Sequence, residues 1–262
     1  MRSMVLRCRW VLPAFGLWAQ GALFSANELD ELARQEFARY VSQTDSLRPA
    51  DAYTHLQEVN RRLRGAVNRY YSARERQRIS GYAWGVALVP ENHIQAFYLP
   101  GGRLVMDTGM FRWTQKDDAL AVVISHQLAH MLLAHGEKRL QVALQERAGG
   151  KRLGEIKTLR PADARDFFLT AFGAGNIALL DPFSNVQEQE ADRLSMVLTA
   201  LAGYDPRENI VFWKRMAYIS NGPGRPILMS AHRYDPARTA AMEEEVEAIS
   251  RKYYHSIPGK KP

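Results

Sequence analysis

A chain of 262 residues that is 46% hydrophobic and 24% charged can bury a sizeable core and is too apolar for an intrinsically disordered protein. A formal charge of +7 excludes an acidic solvating chain. A single cysteine, Cys8, excludes a disulfide framework and a thiolate metal site.

Residues 1–26 stand apart. Arg2, Arg7 and Arg9 precede an apolar run from Trp10 to Phe24, and no acidic residue comes before Glu28. That is the pattern of a secretory signal, with Ala19-Gln20-Gly21 as its small-x-small cleavage site. An uncleaved anchor and a mitochondrial presequence are the alternatives, and the run is short and broken for a transmembrane helix. Residues 27–262 are expected to form a single domain.

Leu29, Leu32, Ala33, Phe37 and Tyr40 give residues 27–43 the period of an amphipathic helix, and Leu56, Val59, Leu63, Val67 and Tyr70 do the same for residues 51–77. The second helix also carries Arg61, Arg62, Arg64, Arg69, Arg74 and Arg76. Such a stripe reads first as a solvated helix face and second as contact with an anionic membrane. No nucleic-acid motif accompanies it, so nucleic acid is not an expected partner.

From Gly81 the pattern changes to strands, over residues 82–89, 94–99 and 103–107, with Pro100-Gly101-Gly102 as a turn between the last two. A strand at the edge of a cleft would hold an extended peptide by backbone pairing, which suits flexible or unfolded chains.

Residues 117–136, DDALAVVISHQLAHMLLAHG, form the most apolar helix of the chain, with Thr114 to Asp117 close to a capping box and Gly136 placed as a C-terminal cap. His126 and His130 are four residues apart, so both imidazoles lie on one helix face and reach one ion. Tetrahedral zinc is the usual occupant of such a pair. His135, nine residues after His126, points the opposite way on a continuous helix and cannot join the pair. Between the histidines stands Gln127, where the His-Glu-x-x-His motif has its general base. A carboxamide can orient water but cannot take its proton.

Residues 137–160 are polar and basic and are expected to continue as helix before loosening into a loop near the cleft. Residues 167–180 have the length of a core helix rather than a membrane span. The next helix, residues 183–203, has Ser184 as its cap and places Glu188, Asp192 and Ser195 on one stripe. Glu188 is the carboxylate expected to complete the metal site, and Asp192, one turn later, the acceptor for a ligand histidine's other ring nitrogen. Asp205-Pro206 opens another helix, residues 221–226 are a loop, and residues 239–253 form a charged terminal helix.

Five ordered motifs together resemble the M48 zinc metallopeptidases, and among them the compact branch of the mitochondrial Oma1 protease and its bacterial periplasmic relatives. They are Ala96 to Gly102 with Asp107-Thr108-Gly109, His126-Gln127-Leu128-Ala129-His130, Glu188-Gln189-Glu190-Ala191-Asp192, Ala202 to Pro206, and Ser230-Ala231-His232 with Arg238. The resemblance covers roughly residues 50 to 245. It implies an α+β, zincin-like (gluzincin) domain, mostly helical with a small sheet, one Zn2+ held by His126, His130 and Glu188, and a general base at position 127. It also places His232 near substrate or transition state, although the residues alone fit a surface histidine equally well. Gln127 departs from the family's glutamate, Gln95 from its usual asparagine and Arg233 from the proline after His232.

The implied reaction is hydrolysis of peptide bonds in unfolded or misfolded proteins, as quality control in an envelope compartment such as the periplasm. Gln127 predicts that this chain has little or no activity. The alternative is a zinc-binding pseudopeptidase that serves as a chaperone-like or regulatory peptide-binding module.

Overall fold

The computed structural model describes residues 22–44, 49–174, 180–220 and 228–257. The signal-like segment up to residue 21 and the expected loop at residues 221–226 lie outside them.

Two helices come first, α1 (Ala26–Thr44) and α2 (Ala50–Tyr70). The second helix was expected to run on to residue 77, but it stops at Tyr70, and a short α3 (Ala73–Gln77) restarts behind a capping box between Ser72 and Glu75. The arginine stripe is largely engaged within the fold. Arg62 and Arg69 donate to the carbonyl oxygens of Ala202 and Leu201, and Arg76 donates to those of Asn68 and Tyr71. These are carbonyls that helix ends leave without intrahelical donors. Arg61 pairs with Glu58, and Arg64 lies over Trp84. Half of the stripe, Arg62, Arg69 and Arg76, thus ties helix ends together.

Three strands follow, β1 (Val86–Val89), β2 (Ala96–Leu99) and β3 (Arg103–Asp107), in the order β1-β3-β2. β1 pairs with β3 in parallel, Val86 opposite Leu104, and β2 pairs with β3 antiparallel, Phe97 opposite Val105. The antiparallel pair turns through Gly101 and Gly102, both at positive φ (78° and 79°), where a side chain would be strained. Side chains alternate between two cores. Leu88, Tyr98, Leu104 and Met106 face the core built on α2 and the long apolar helix, whereas Ala87, Phe97, Leu99 and Val105 face the core that holds Leu29, Leu32 and Phe168. Both faces are covered, which is why the strands read as nearly continuous apolar runs.

After a 3-10 turn at Thr108–Arg112 comes α4 (Asp117–Leu132), buried from Ala119 to Leu132. It packs against α2 and β2 and against two later helices, and this explains an apolar sequence all round. Its ends differ from the expected ones. Lys116 occupies the N-cap position, and Thr114 donates instead to the Met110 carbonyl. The helix stops at Leu132, and Ala134 sits in the left-handed region (φ 56°). A new helix, α5 (His135–Glu146), leaves at 56°. Gly136 is therefore no cap. It lies in α5 because a Cβ there would meet the Phe172 ring at 2.3 Å.

Residues 137–160 continue as helix, as expected, but the expected loop is short, because α5 is followed by α6 (Leu153–Leu159) and α7 (Pro161–Ala171). One oxygen of Glu137, in the first turn of α5, is buried without a hydrogen-bond partner, and burial pushes its carboxyl up to about 7. A raised carboxyl contributes stability that is intact below the unfolded value, 4.5, and lost as pH rises through 7. Glu137→Gln is accordingly expected to leave stability unchanged at pH 4 and to raise it by about 3 kcal/mol at pH 8. Paired denaturant titrations at the two pH values measure the difference.

The chain closes with α8 (Asn185–Leu201), α9 (Glu208–Ser220), the short α10 (Leu228–Ala231), α11 (Pro236–Ile249) and a π-helical end at Ser250–Tyr254. Ser184 caps α8 as expected, with Gln187 completing the box. A buried hydroxyl network fixes α4 against α8 and α9: Ser125 lies 2.7 Å from Ser195 and 2.9 Å from Thr199, and Ser195 donates to Asn209. Ser125 precedes His126, so the network also sets the height of the first histidine along α8. The fold is mostly helical around a small mixed sheet, as the sequence predicts. Among the described residues, no single helix is long and apolar enough to cross a membrane.

Candidate metal centre

α4 and α8 run side by side, and the stripe of each turns toward the other. His126, His130, Glu188 and His232 converge, all buried, with one donor atom from each inside a 4.8 Å span. Nε2 of His126 lies 3.0 Å from Nε2 of His130. Glu188 approaches His126 Nε2 to 3.5 Å with Oε2 and His130 Nε2 to 3.6 Å with Oε1. His232 Nδ1 is 2.9 Å from Glu188 Oε1 and 3.3 Å from His126 Nε2.

The outer nitrogens have partners of their own. His126 Nδ1 faces Asp192 Oδ1 at 3.1 Å, and the Arg238 guanidinium grips both oxygens of Asp192 at 2.8 Å. The same guanidinium reaches Glu188 Oε2 at 2.7 Å. Trp213 lies edge-on to His126 at 4.6 Å, with Arg238 over its ring at 4.9 Å. On the other side Phe183 covers the rings of His130 (4.0 Å) and His232 (5.0 Å) and is itself backed by Arg139 at 4.2 Å.

This setting separates the groups electrostatically. Burial would raise Glu188, but Arg238 and the neighbouring histidines outweigh it and hold the carboxyl well below its ordinary range. Burial would likewise lower His126, yet Asp192 and Glu188 leave it raised. For His130 the charge of Glu188 is outweighed, and burial together with the neighbouring histidines drives it well below 6.5. Burial also takes His232 to about 4 and His135 to about 3.

The donor set fits a metal ion. Nδ1 of His126 lies 3.1 Å from the Asp192 carboxylate. In the neutral tautomer that carries its proton on that side, Nε2 is a bare lone pair, and a second imidazole nitrogen stands 3.0 Å away. Two lone pairs at that distance repel unless a cation lies between them. Ligands about 2.0 to 2.1 Å from a tetrahedral zinc are about 3.3 Å apart, and the separations here, 3.0 to 3.6 Å, bracket that value.

The sequence matches peptidase family M48 over residues 57–246, a span that takes in every residue of this cluster. The chain belongs to peptidase family M48. Peptidases of this family use zinc, and the buried cluster here supplies donors for such an ion. It is 31% identical over 157 residues to the mitochondrial metalloendopeptidase OMA1 of Bos taurus, an alignment covering 57% of this chain and 29% of that protein. It is 27% identical over 167 residues to mitochondrial metalloendopeptidase OMA1 of Schizosaccharomyces pombe, covering 63% and 48% respectively. It is 29% identical over 143 residues to the beta-barrel assembly-enhancing protease of Yersinia pestis, covering 52% and 29%. The alignments thus take in less than half the length of these relatives.

The structure brings together His126, His130, Glu188 and Asp192, the four residues singled out from helix spacing. It corrects the surface reading of His232, which is 1% exposed and part of the cluster. Gln127, 3% exposed, directs its amide nitrogen at His232 Nε2, 3.0 Å away. Two participants escaped the sequence reading. Arg238 was noted only as part of a motif, and no local signal ties a residue on α11 to α8. His135, set aside as facing away, has its Nδ1 2.9 Å from His130 Nδ1. The break at Ala134 turns it back toward α4, and alanine carries no breaker signal.

Proposed function

We propose that this M48 chain is a zinc endopeptidase for unfolded or misfolded proteins whose own turnover is very weak because Gln127 stands at the general-base position. The observation that carries this reading is the enclosed donor set of His126, His130 and Glu188, with Asp192 and Arg238 behind it and a carboxamide beside it. When bound, zinc supplies Lewis acidity toward a scissile carbonyl. His126, His130 and Glu188 would hold it, with Nε2 of each histidine and the Glu188 carboxylate as the available donors. A carboxylate at position 127 would take the proton of the attacking water and return it to the leaving amine. Gln127 has no basic lone pair for that transfer and instead occupies the outer nitrogen of His232. His232 would lie beside a substrate or its transition state.

Quality control in an envelope compartment is the proposed setting, and export through residues 1–26 the proposed route. The arginine-then-apolar sequence of that segment supports the route, as do relatives named for mitochondria and for β-barrel assembly. Residues 27–262 would act as one catalytic domain, supported by two cores that share a single sheet. Membrane contact by the arginine stripe is left with weak support, because three of its six guanidinium groups serve helix ends and two more, those of Arg61 and Arg64, are held by Glu58 and Trp84. A second reading, a zinc-binding pseudopeptidase that holds peptide segments, draws its support from Gln127 itself.

The test is digestion of a permanently unfolded reporter, and of the same reporter folded, by the Gln127→Glu chain with and without a chelator. Chelator-sensitive cutting confined to the unfolded reporter is expected. No cutting by a zinc-loaded variant would favour the pseudopeptidase.

A further inference from the structure

His126 and His130 are oriented in different ways. The first meets a carboxylate directly, since Asp192 stands 3.1 Å from its Nδ1. The second meets another imidazole, with His135 Nδ1 2.9 Å from His130 Nδ1, and the far nitrogen of His135 lies 3.0 Å from Glu190 Oε2. His135 is wholly buried, whereas Glu190 keeps 27% of its side chain exposed.

The protons in this row can be placed by elimination. A carboxylate only accepts, so the Nε2 of His135 must donate to Glu190. A neutral imidazole carries one proton, so Nδ1 of His135 is left as an acceptor. Among the described residues, the donor facing it is Nδ1–H of His130. With its proton there, His130 has a bare Nε2, and that is the atom turned toward His126 and Glu188.

We propose that His135 and Glu190 are positioning residues for the metal centre, with Glu190 fixing the tautomer of His135 and His135 that of His130. The proposal rests on the zinc reading above and deepens it. α8 then serves the site three times over: Glu188 toward the metal, Asp192 behind His126, and Glu190 behind His130 through one intervening ring. The break at Ala134 has a function in this arrangement, because a continuous α4 would carry His135 away from His130.

The test uses the full chain and Glu190→Gln, with the exposed Glu245→Gln as control. Zinc affinity is measured by competition with a chromophoric chelator, and histidine tautomers by long-range proton–nitrogen NMR of the zinc-loaded protein. Partners behind ligand histidines are worth about 10 to 100-fold in metal affinity. Glu190→Gln is expected to lose about tenfold, with zinc-free thermal stability unchanged, and the control to lose nothing. The parent should show His130 protonated at Nδ1 and His135 at Nε2. His135→Asn should lose at least as much affinity if it folds, but Glu190→Gln, at a partly exposed position, carries the test alone. A parent that binds zinc and a Glu190→Gln chain that binds it equally well would overturn the proposal and leave the metal centre standing. A loss of affinity matched by an equal loss of zinc-free stability would overturn it too, since the role is then structural. A parent that binds no zinc removes the metal centre and the proposal with it.

Discussion

Gln127→Glu is expected to convert a nearly silent chain into a peptidase, with a gain of about 10² to 10⁴-fold in the rate of cutting an unfolded reporter. The range is what a positioned general base contributes when everything else is in place. Here much else is in place: the histidine pair, the carboxylate of Glu188, and the partners behind them are all buried and within hydrogen-bond or ligand reach of one another. The exchange is nearly isosteric, so the fold has no reason to change. It does alter one contact. Gln127 aims its amide nitrogen at His232 Nε2, whereas a carboxylate could only accept there. Since Nδ1 of His232 already faces Glu188 Oε1 at 2.9 Å, His232 in the variant meets both carboxylates only as an imidazolium with a proton on each nitrogen. Initial rates for parent and variant, each with and without chelator, measure the effect. Equal and chelator-insensitive rates would count against the role given to position 127.

Arg238→Met is expected to destabilise the zinc-free chain by about 3 to 5 kcal/mol. Arg238 is 2% exposed and holds two buried carboxylates, Asp192 through both oxygens and Glu188 through one. A methionine of similar length would fill much of the space yet leave both negative charges without their cation in a low-dielectric setting. The same pairing makes the parent acid-sensitive in a defined direction. Because Glu188 is held well below its ordinary value, its contribution is present above 4.5 and disappears as pH falls toward the folded value. In Arg238→Met that acid limb should shrink, and saturating zinc should restore part of the stability by supplying positive charge at Glu188. Urea unfolding at pH 7 with and without zinc checks the first effect, and a pH series the second.

The elements most readable in the sequence are those set by local spacing. A spacing of four positions from His126 to His130, and of four from Glu188 to Asp192, places each pair on one helix face whatever the rest of the chain does. Ser184 before α8 and the two glycines after Pro100 are equally local, and the structure has the cap and the turn there. What the sequence leaves hidden is long-range or lacks a punctuating residue. α4 was drawn four residues too long because Ala134 adopts a left-handed conformation without being glycine or asparagine, and that one residue decides where His135 points. The break in α2 at Tyr71 is similarly unmarked on its C-terminal side, although Ser72 and Glu75 spell out the restart. His232, just after α10, and Arg238, on α11, enter the site through contacts 44 and 46 residues distant in the chain. No periodicity encodes such contacts. The arginine stripe is the converse case, since a pattern suited to an anionic surface turns out to satisfy the ends of α2 and α8.

The central claim, that α4 and α8 build one zinc site, is tested most directly by the metal content of the purified chain and of its His130→Ala variant. One zinc per chain is predicted for the parent, with loss of tight binding in the variant while the fold persists. A parent without zinc after loading at neutral pH, or a variant that retains the metal at full stoichiometry and affinity, would contradict it.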